Sequence, residues 1–144
     1  MTLFSKKMIG LKDARAVGEA ALAKAMENPD RPMAIAIVDA TGELVYFVKM
    51  DNSQPLFAKM AVNKAYTVVH FGMDTADIGR VLKKEGLGVR DFVDPKFTSL
   101  GGGVCLRSPD GTMIGAIGTS GRQPVIDKVG DTDVALAGVK ALSL

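Results

Sequence analysis

The chain has no tryptophan, one cysteine and one histidine among its 144 residues. A lone cysteine excludes an intramolecular disulfide and suits a reducing compartment. One histidine and one cysteine exclude a conventional His/Cys metal cluster. Net charge is only +2, so the composition gives no basic surface for a nucleic acid. No apolar run is long enough to span a membrane, and residues Met1 to Asp13 lack the continuous apolar region of a signal peptide. The expectation is a cytoplasmic protein with neither nucleic acid nor membrane as partner. Several catalytic signatures are missing as well. There is no GxSxG elbow and no Walker lysine behind a glycine loop. Gly101-Gly102-Gly103 does not follow a strand and open a helix, so it is not a dinucleotide fingerprint. No pair of acidic residues stands out as an acid/base dyad.

What is present fits one domain, residues 1–144, with 47% hydrophobic residues. Eight methionines describe an adaptable interior. Leu11 to Glu27 has helical spacing, with Leu11, Ala14, Val17, Gly18, Ala21, Leu22 and Ala25 on its apolar face, and Asn28-Pro29-Asp30 ends it. Gly18 costs helix stability and marks a close contact. Met33 to Val38 is apolar throughout and reads as a central strand. A turn at Asp39-Ala40-Thr41-Gly42 leads to a second strand, Leu44 to Met50. Pro55 to Phe71 is the next helix, with Ser53 as its candidate cap. Thr75 caps a short helix running to about Lys84, and Glu85 to Phe97 is an irregular loop.

The stretch Ser99 to Gly121 reads as a second hairpin with a glycine-rich loop at each end. Val104 to Leu106 is one strand, Ser108-Pro109-Asp110-Gly111 the turn, and Thr112 to Ile117 the other strand. Antiparallel pairing brings Gly101–Gly103 and Gly118-Thr119-Ser120-Gly121 to the same end of the sheet. Glycines there let a ligand or another backbone approach closely. Val125 to Leu142 reads as a final helix, with Asp131 or Thr132 capping its regular part. Two antiparallel hairpins separated by helices give an α+β domain with one central antiparallel sheet.

The candidate site follows from this arrangement. In the Pro55–Phe71 helix, Phe57, Ala61, Ala65, Val68 and Gly72 share one side, and Lys59, Asn63 and His70 lie on the other. Lys64 sits at the edge of the apolar stripe. Its ammonium either extends to water or faces a cavity where an anionic ligand meets it. Lys64, Thr67 and Phe71 share a helix side and offer a cation, a hydroxyl and an aromatic wall beside the 118–121 loop. Asp51 ends a strand, either capping the turn or placing a charge at the pocket rim. Asp39 serves its turn, and Cys105 is a small core residue. Arg122 reads as a surface arginine, though its loop position suits a bidentate pair with a carboxylate. His70 shares a face with Lys59 and Asn63, which suits a solvated or subunit-contact residue; the other reading makes it, and after it Tyr66, the ligand of a haem iron, although tyrosines more often serve packing.

Three segments carry a family resemblance: AIVDATGELVYFVKMD at 36–51, KAYTVVHF at 64–71 and GGGVCLRSPDGTMIGAIGTSG at 101–121, with DVALAG at 133–138 matching more loosely. The chain resembles the GlcG/HbpS family of haem-binding-like proteins, which includes the carboxy-terminal domain of PduO. The resemblance implies a central antiparallel sheet flanked by helices, assembly into homo-oligomers and, for some members, haem binding or haem breakdown. By motif it implies site positions at Asp51, Lys64, Thr67, Phe71, Gly102, Gly118, Ser120 and Gly121. Thr119 and Arg122 join them from the same loop. The family pattern has a small residue where this chain has Arg122, and an acidic pair where it reads Asp131-Thr132. Haem binding is therefore the first expectation. The alternatives are an enzyme acting on a carboxylated metabolite, with Lys64 stabilising charge and Asp51 moving a proton, and a non-catalytic oligomeric scaffold for a small anionic ligand.

Overall fold

The computed structural model describes residues 1–142, and the last two residues of the expected domain lie outside it. Its centre is a four-stranded antiparallel sheet made of β1 (Ala34–Asp39), β2 (Leu44–Lys49), β3 (Gly103–Arg107) and β4 (Met113–Ser120), in the order β2-β1-β4-β3. Each hairpin pairs internally, and β1 joins β4 antiparallel, from Ala34 opposite Ser120 to Asp39 opposite Gly115. The single α+β sheet expected from the two tight turns is thus the architecture observed. Both turns use the anticipated chemistry. The Asp39 carboxylate accepts from the Thr41 amide at 2.8 Å and its hydroxyl at 2.6 Å, and Gly42 takes a φ of 87°.

The two sheet faces differ in side-chain size, because strand residues alternate between faces. Ile35, Ile37, Leu106 and Ile117 face α1 (Leu11–Ala25) and α4 (Asp131–Val139), whose Val17, Ala21 and Val134 complete the larger core cluster. Ala34, Ala36, Val38 and Ala116 face α2 (Pro55–Phe71), meeting Ala61, Ala65 and Val68. Small residues on this second face let α2 settle close to β4. A Cβ added at Gly118 would stand 1.9 Å from the Ala61 carbonyl oxygen, so only glycine fits there. Gly18 has a similar role on α1, where an added Cβ would meet the Tyr46 ring at 2.4 Å.

Several boundaries differ from the sequence expectation. β4 continues through Gly118, Thr119 and Ser120, which had read as a loop. Their backbone pairs with β1, and two of the three carry side chains short enough for a buried strand. The segment before α4 is not helical, and the helix begins after an N-cap at Gly130, not at Asp131 or Thr132. Pro124 and Gly130 break the apparent periodicity from Val125. Asp74, not Thr75, is the N-cap of α3 (Thr75–Lys84). The Thr75 hydroxyl instead accepts the Gly103 amide at 3.0 Å, and the Asp74 carboxylate accepts the Cys105 amide at 2.8 Å. Ser53 does not cap α2, whose N-cap is Gln54. The Ser53 hydroxyl is buried without a hydrogen-bond partner among the described residues. Leu11, placed by periodicity on the apolar face, is exposed. Cys105 is a core residue, and burial pushes its thiol up to about 11.

Candidate functional site

Helix α2 places different chemistry on its two sides. Proline at its first turn starts it and Gly72, at φ 73°, ends it. On the inner side Lys64 is 3% exposed. Its ammonium donates to the Thr119 carbonyl at 2.8 Å and to Asp131 Oδ2 at 3.1 Å, so it does not extend to water. β4 supplies the first acceptor, and the first residue of α4 supplies the second. Gly102 makes room for this pair. At φ 121° it brings its Cα so close that an added Cβ would lie 2.5 Å from the Thr119 carbonyl oxygen and 3.0 Å from the Lys64 ammonium. The Thr119 hydroxyl donates to the Asp131 carbonyl at 2.6 Å, and the Thr119 amide to the Gly102 carbonyl at 3.0 Å. Burial lowers the Lys64 ammonium from its ordinary value and raises the Asp131 carboxyl, each against the attraction of the other.

This ion pair lies at one end of a cavity of about 1000 Å³. Leu56, Phe57, Met60 and Leu100 give it an apolar wall, and Asn52, Ser120, Gly121 and the Gly130–Asp133 turn give it a polar one. Such a volume and mixed lining suit a small organic ligand. Arg31 lines the cavity with its guanidinium paired to Asp127, Nε to Oδ1 and an Nη to Oδ2, both at 2.7 Å. That pairing holds the Asp127 carboxyl down at about 2.

The outer side of α2 carries an aromatic cluster. The rings of Tyr66 and His70 lie 4.1 Å apart, with Phe97 at 5.8 Å and 5.6 Å from them. Phe71 meets Phe97 at 5.0 Å and Phe92 at 5.1 Å, both edge-on. His70 is exposed, and its Nδ1 lies 2.9 Å from the Tyr66 carbonyl. A carbonyl can only accept, so Nδ1 carries the hydrogen and Nε2 is left with a free lone pair. The Tyr66 hydroxyl donates to Asp94, which raises the phenol above its usual range.

The structure therefore divides the residues singled out by sequence. Lys64, Ser120, Gly121 and Arg122 line the cavity, while Gly102 and Thr119 stand behind its ion pair. Gly118 lies under α2, away from the opening. Asp51 is exposed, and its neighbours Asn52 and Gln54 take the rim. Thr67 is buried at the foot of the 85–97 loop. Its hydroxyl donates to the Asn63 carbonyl at 2.7 Å and accepts the Thr98 amide at 3.0 Å. Phe71 belongs to the outer cluster with Tyr66 and His70. Arg122 is not a surface arginine. It is 5% exposed, and its guanidinium donates to the carbonyls of Ala25 at 2.7 Å, Asn28 at 2.9 Å and Arg31 at 3.0 Å. It closes the C-terminal end of α1, where carbonyls lack intrahelical donors.

Sequence reading missed Asp131 as the partner of Lys64, and missed the wall of Leu56, Phe57, Met60 and Leu100 as one surface. The nearest signal for Asp131 was its place after Gly130, at a helix start, where an acidic side chain is favoured.

Comparison with known proteins follows the same outline. The profile of the family described as "Haem degrading protein HbpS-like" matches residues 9–140. The structure of the PduOC:haem complex is 26% identical, aligning 93% of this chain with 94% of that one at a TM-score of 0.80. The Klebsiella pneumoniae protein ORFY is 21% identical and aligns 99% of this chain with 97% of its own at 0.84. A double mutant of Streptomyces reticuli HbpS is 24% identical, aligning 97% with 90% at 0.82. The last two show the shared fold. Among curated protein sequences none matches the chain significantly.

Proposed function

The chain belongs to the HbpS-like family, and from that premise and the outer side of α2 we propose that it binds haem, with His70 as the iron ligand. The observation that carries this reading is the imidazole itself. Its Nδ1–H is held by the Tyr66 carbonyl, the outer-sphere hydrogen bond that metal-ligating histidines characteristically make, and Nε2 is free. Tyr66 and Phe97 supply aromatic faces for a macrocycle. The Lys96 ammonium, 5.2 Å from the centroid of the Tyr66 ring, is a cation for a propionate. The cavity around Lys64 fits haem less well, since its lining has no imidazole, phenol or thiol for the iron and offers only the weaker Met60 thioether. Tyr66 is the weaker candidate ligand. Its hydroxyl is tied to Asp94 and its phenolate is disfavoured. Bound haem would supply an iron centre whose properties follow its axial ligand and its surroundings.

Titration of the purified chain with haemin, read by absorbance, tests this. His70→Ala is expected to shift the spectrum of the complex and weaken binding at least tenfold, while Tyr66→Phe stays near the parent. An unchanged spectrum and affinity in His70→Ala would overturn the assignment.

Two further parts belong to the same reading. A shallow face leaves much of a macrocycle uncovered. Exposed Leu87, Phe92 and Val93, on the loop that carries this cluster, suit a contact between copies in a homo-oligomer. Light scattering at micromolar concentration is expected to give at least a dimer, and a monomer mass would remove that part. The compartment is the cytoplasm, in keeping with a single buried cysteine; cell fractionation that found the protein outside it would refute this. No helix among the described residues is long and apolar enough to cross a membrane.

A further inference from the structure

We propose that the cavity between α2 and the first turn of α4 is a second binding site, for a small uncharged carbonyl compound with an apolar body. It lies on the opposite side of α2 from His70 and does not depend on haem.

The charge of the ligand follows from what the lining has already spent. The Lys64 ammonium is matched by Asp131 at 3.1 Å, and the Arg31 guanidinium by Asp127 through two contacts of 2.7 Å. The Arg122 N–H groups go to backbone carbonyls. The Asp133 carboxylate accepts the Gly130 amide at 2.9 Å. A ligand carboxylate at this end would set two carboxylates on one ammonium in a buried place. Like charges sharing a site are costly there. A ligand cation would have to enter beside Lys64, Arg31 and Arg122.

At the ion-pair end the hydrogen-bonding capacity that remains is that of donors, while Asn52, Ser120 and Gln123 elsewhere in the lining both donate and accept. An ammonium has three hydrogens, and Lys64 uses two on the protein, for Thr119 and Asp131. The amide hydrogens of Asp131 and Thr132, in the first turn of α4, meet no acceptor among the described residues. These are donors, so an acceptor oxygen answers them, and a carbonyl brings one without a charge; an N–H beside it can reach the Asn52, Ser120 or Gln123 side chains. Opposite them stand Leu56, Phe57, Met60 and Leu100, a surface for an aromatic or branched aliphatic body. Occupancy would remove that apolar wall from water while giving those donors an acceptor.

Three probes of nearly one shape separate the possibilities: benzamide, benzoate and benzamidinium. They would be titrated against the haem-free chain by ligand-observed NMR. Benzamide is expected to bind saturably, at least tenfold tighter than either ion. Leu56→Trp should abolish that binding by filling the cavity. Leu56 is 58% exposed, so this variant should fold even if Lys64→Met does not. His70→Ala should leave benzamide binding as in the parent, which separates this site from the haem reading. The proposal is overturned if either ion equals or exceeds benzamide, if no probe saturates, or if Leu56→Trp binds benzamide normally.

Discussion

The inner and outer sides of α2 hold the two chemically conspicuous side chains of the helix, Lys64 and His70, in opposite states. Inside, a full charge is buried and answered by a carboxylate that lies 67 positions away in sequence. Outside, an imidazole stands in solvent, oriented by the carbonyl of Tyr66 on its own helix. The inner arrangement is assembled by tertiary structure and bears on stability. The outer one is local and leaves a ligating atom unspent. A charged residue near an apolar stripe therefore says little about function until its partner is found, whereas an exposed, oriented imidazole already points outward to a ligand.

The strongest way to break this contrast is to remove the inner partner. Asp131→Ala strands the Lys64 ammonium among buried groups. Truncating one member of a buried pair costs about 3–5 kcal/mol, readable by denaturant unfolding at neutral pH. The loss should shrink as pH rises. With Asp131 gone, burial still lowers the lysine, so the folded chain binds fewer protons than the unfolded chain below the ordinary lysine value of 10.5. Stability then rises with pH through that window. A double variant, Lys64→Met with Asp131→Leu, should cost less than the sum of the single changes, because neither charge is left alone. Additive losses would show that the pair does not act as a unit.

Next in size is the contact that lets α2 lie flat enough to reach β4. Gly118→Ala puts a methyl group into the Ala61 carbonyl, 1.9 Å away before any shift. Relief requires α2 to move as a body, so a cost of about 3 kcal/mol is expected, at the upper end for overpacking. The same shift should weaken benzamide binding in the cavity and leave haemin binding at His70 nearly unchanged. A stability equal to the parent's would mean that the helix yields easily.

A smaller effect comes from the ion pair at the cavity rim. Asp127 titrates at about 2 in the folded chain against an ordinary 3.8. Its folded value is depressed, so the stabilisation is present above about pH 4 and is lost as pH falls toward 2. Arg31 is 40% exposed, so solvent screening keeps this contribution small. Asp127→Asn should remove that part of the acid slope. An unaltered acid limb in the variant would assign the slope to other carboxylates.

Much of the frame was legible because it rests on local chemistry. Pro55 and Gly72 bracket α2, and the Asp39–Gly42 and Ser108–Gly111 turns allow only antiparallel neighbours. Those features fix the two hairpins and the α+β class without reference to distant residues. The site was less legible because its decisive contacts are long-range. Lys64 could be placed at the edge of the apolar stripe, but nothing near it in sequence names Asp131. Gly118 read as part of a loop open to a ligand or another backbone, and the backbone that approaches it is the Ala61 carbonyl, met from within β4. Arg122 read as a surface group, although the open end of α1 claims its guanidinium. Thr67, Phe71 and Lys64 share helical spacing, yet Thr67 is taken up by the Thr98 amide and Phe71 by the rings of Phe92 and Phe97, while Lys64 turns to Asp131.

The least costly substitution sharpens the contrast most. His70→Ala removes a side chain that is exposed and touches the protein through its own helix, two neighbouring rings and the turn at Gly42. Tyr66 keeps its bond to Asp94, and Phe97 keeps its edge contact with Phe71, so the cluster stays standing. Loss of the Tyr66 stacking partner is partly offset by the better helix propensity of alanine. Unfolding free energy is therefore expected to stay within about 0.5 kcal/mol of the parent, even as the haemin spectrum changes. Lys64 should behave in the opposite way, since its removal disturbs folding and leaves the outer face chemically intact. If His70→Ala instead destabilised the chain by several kcal/mol, the imidazole would be part of the architecture, and any loss of haemin binding in that variant would no longer identify the iron ligand.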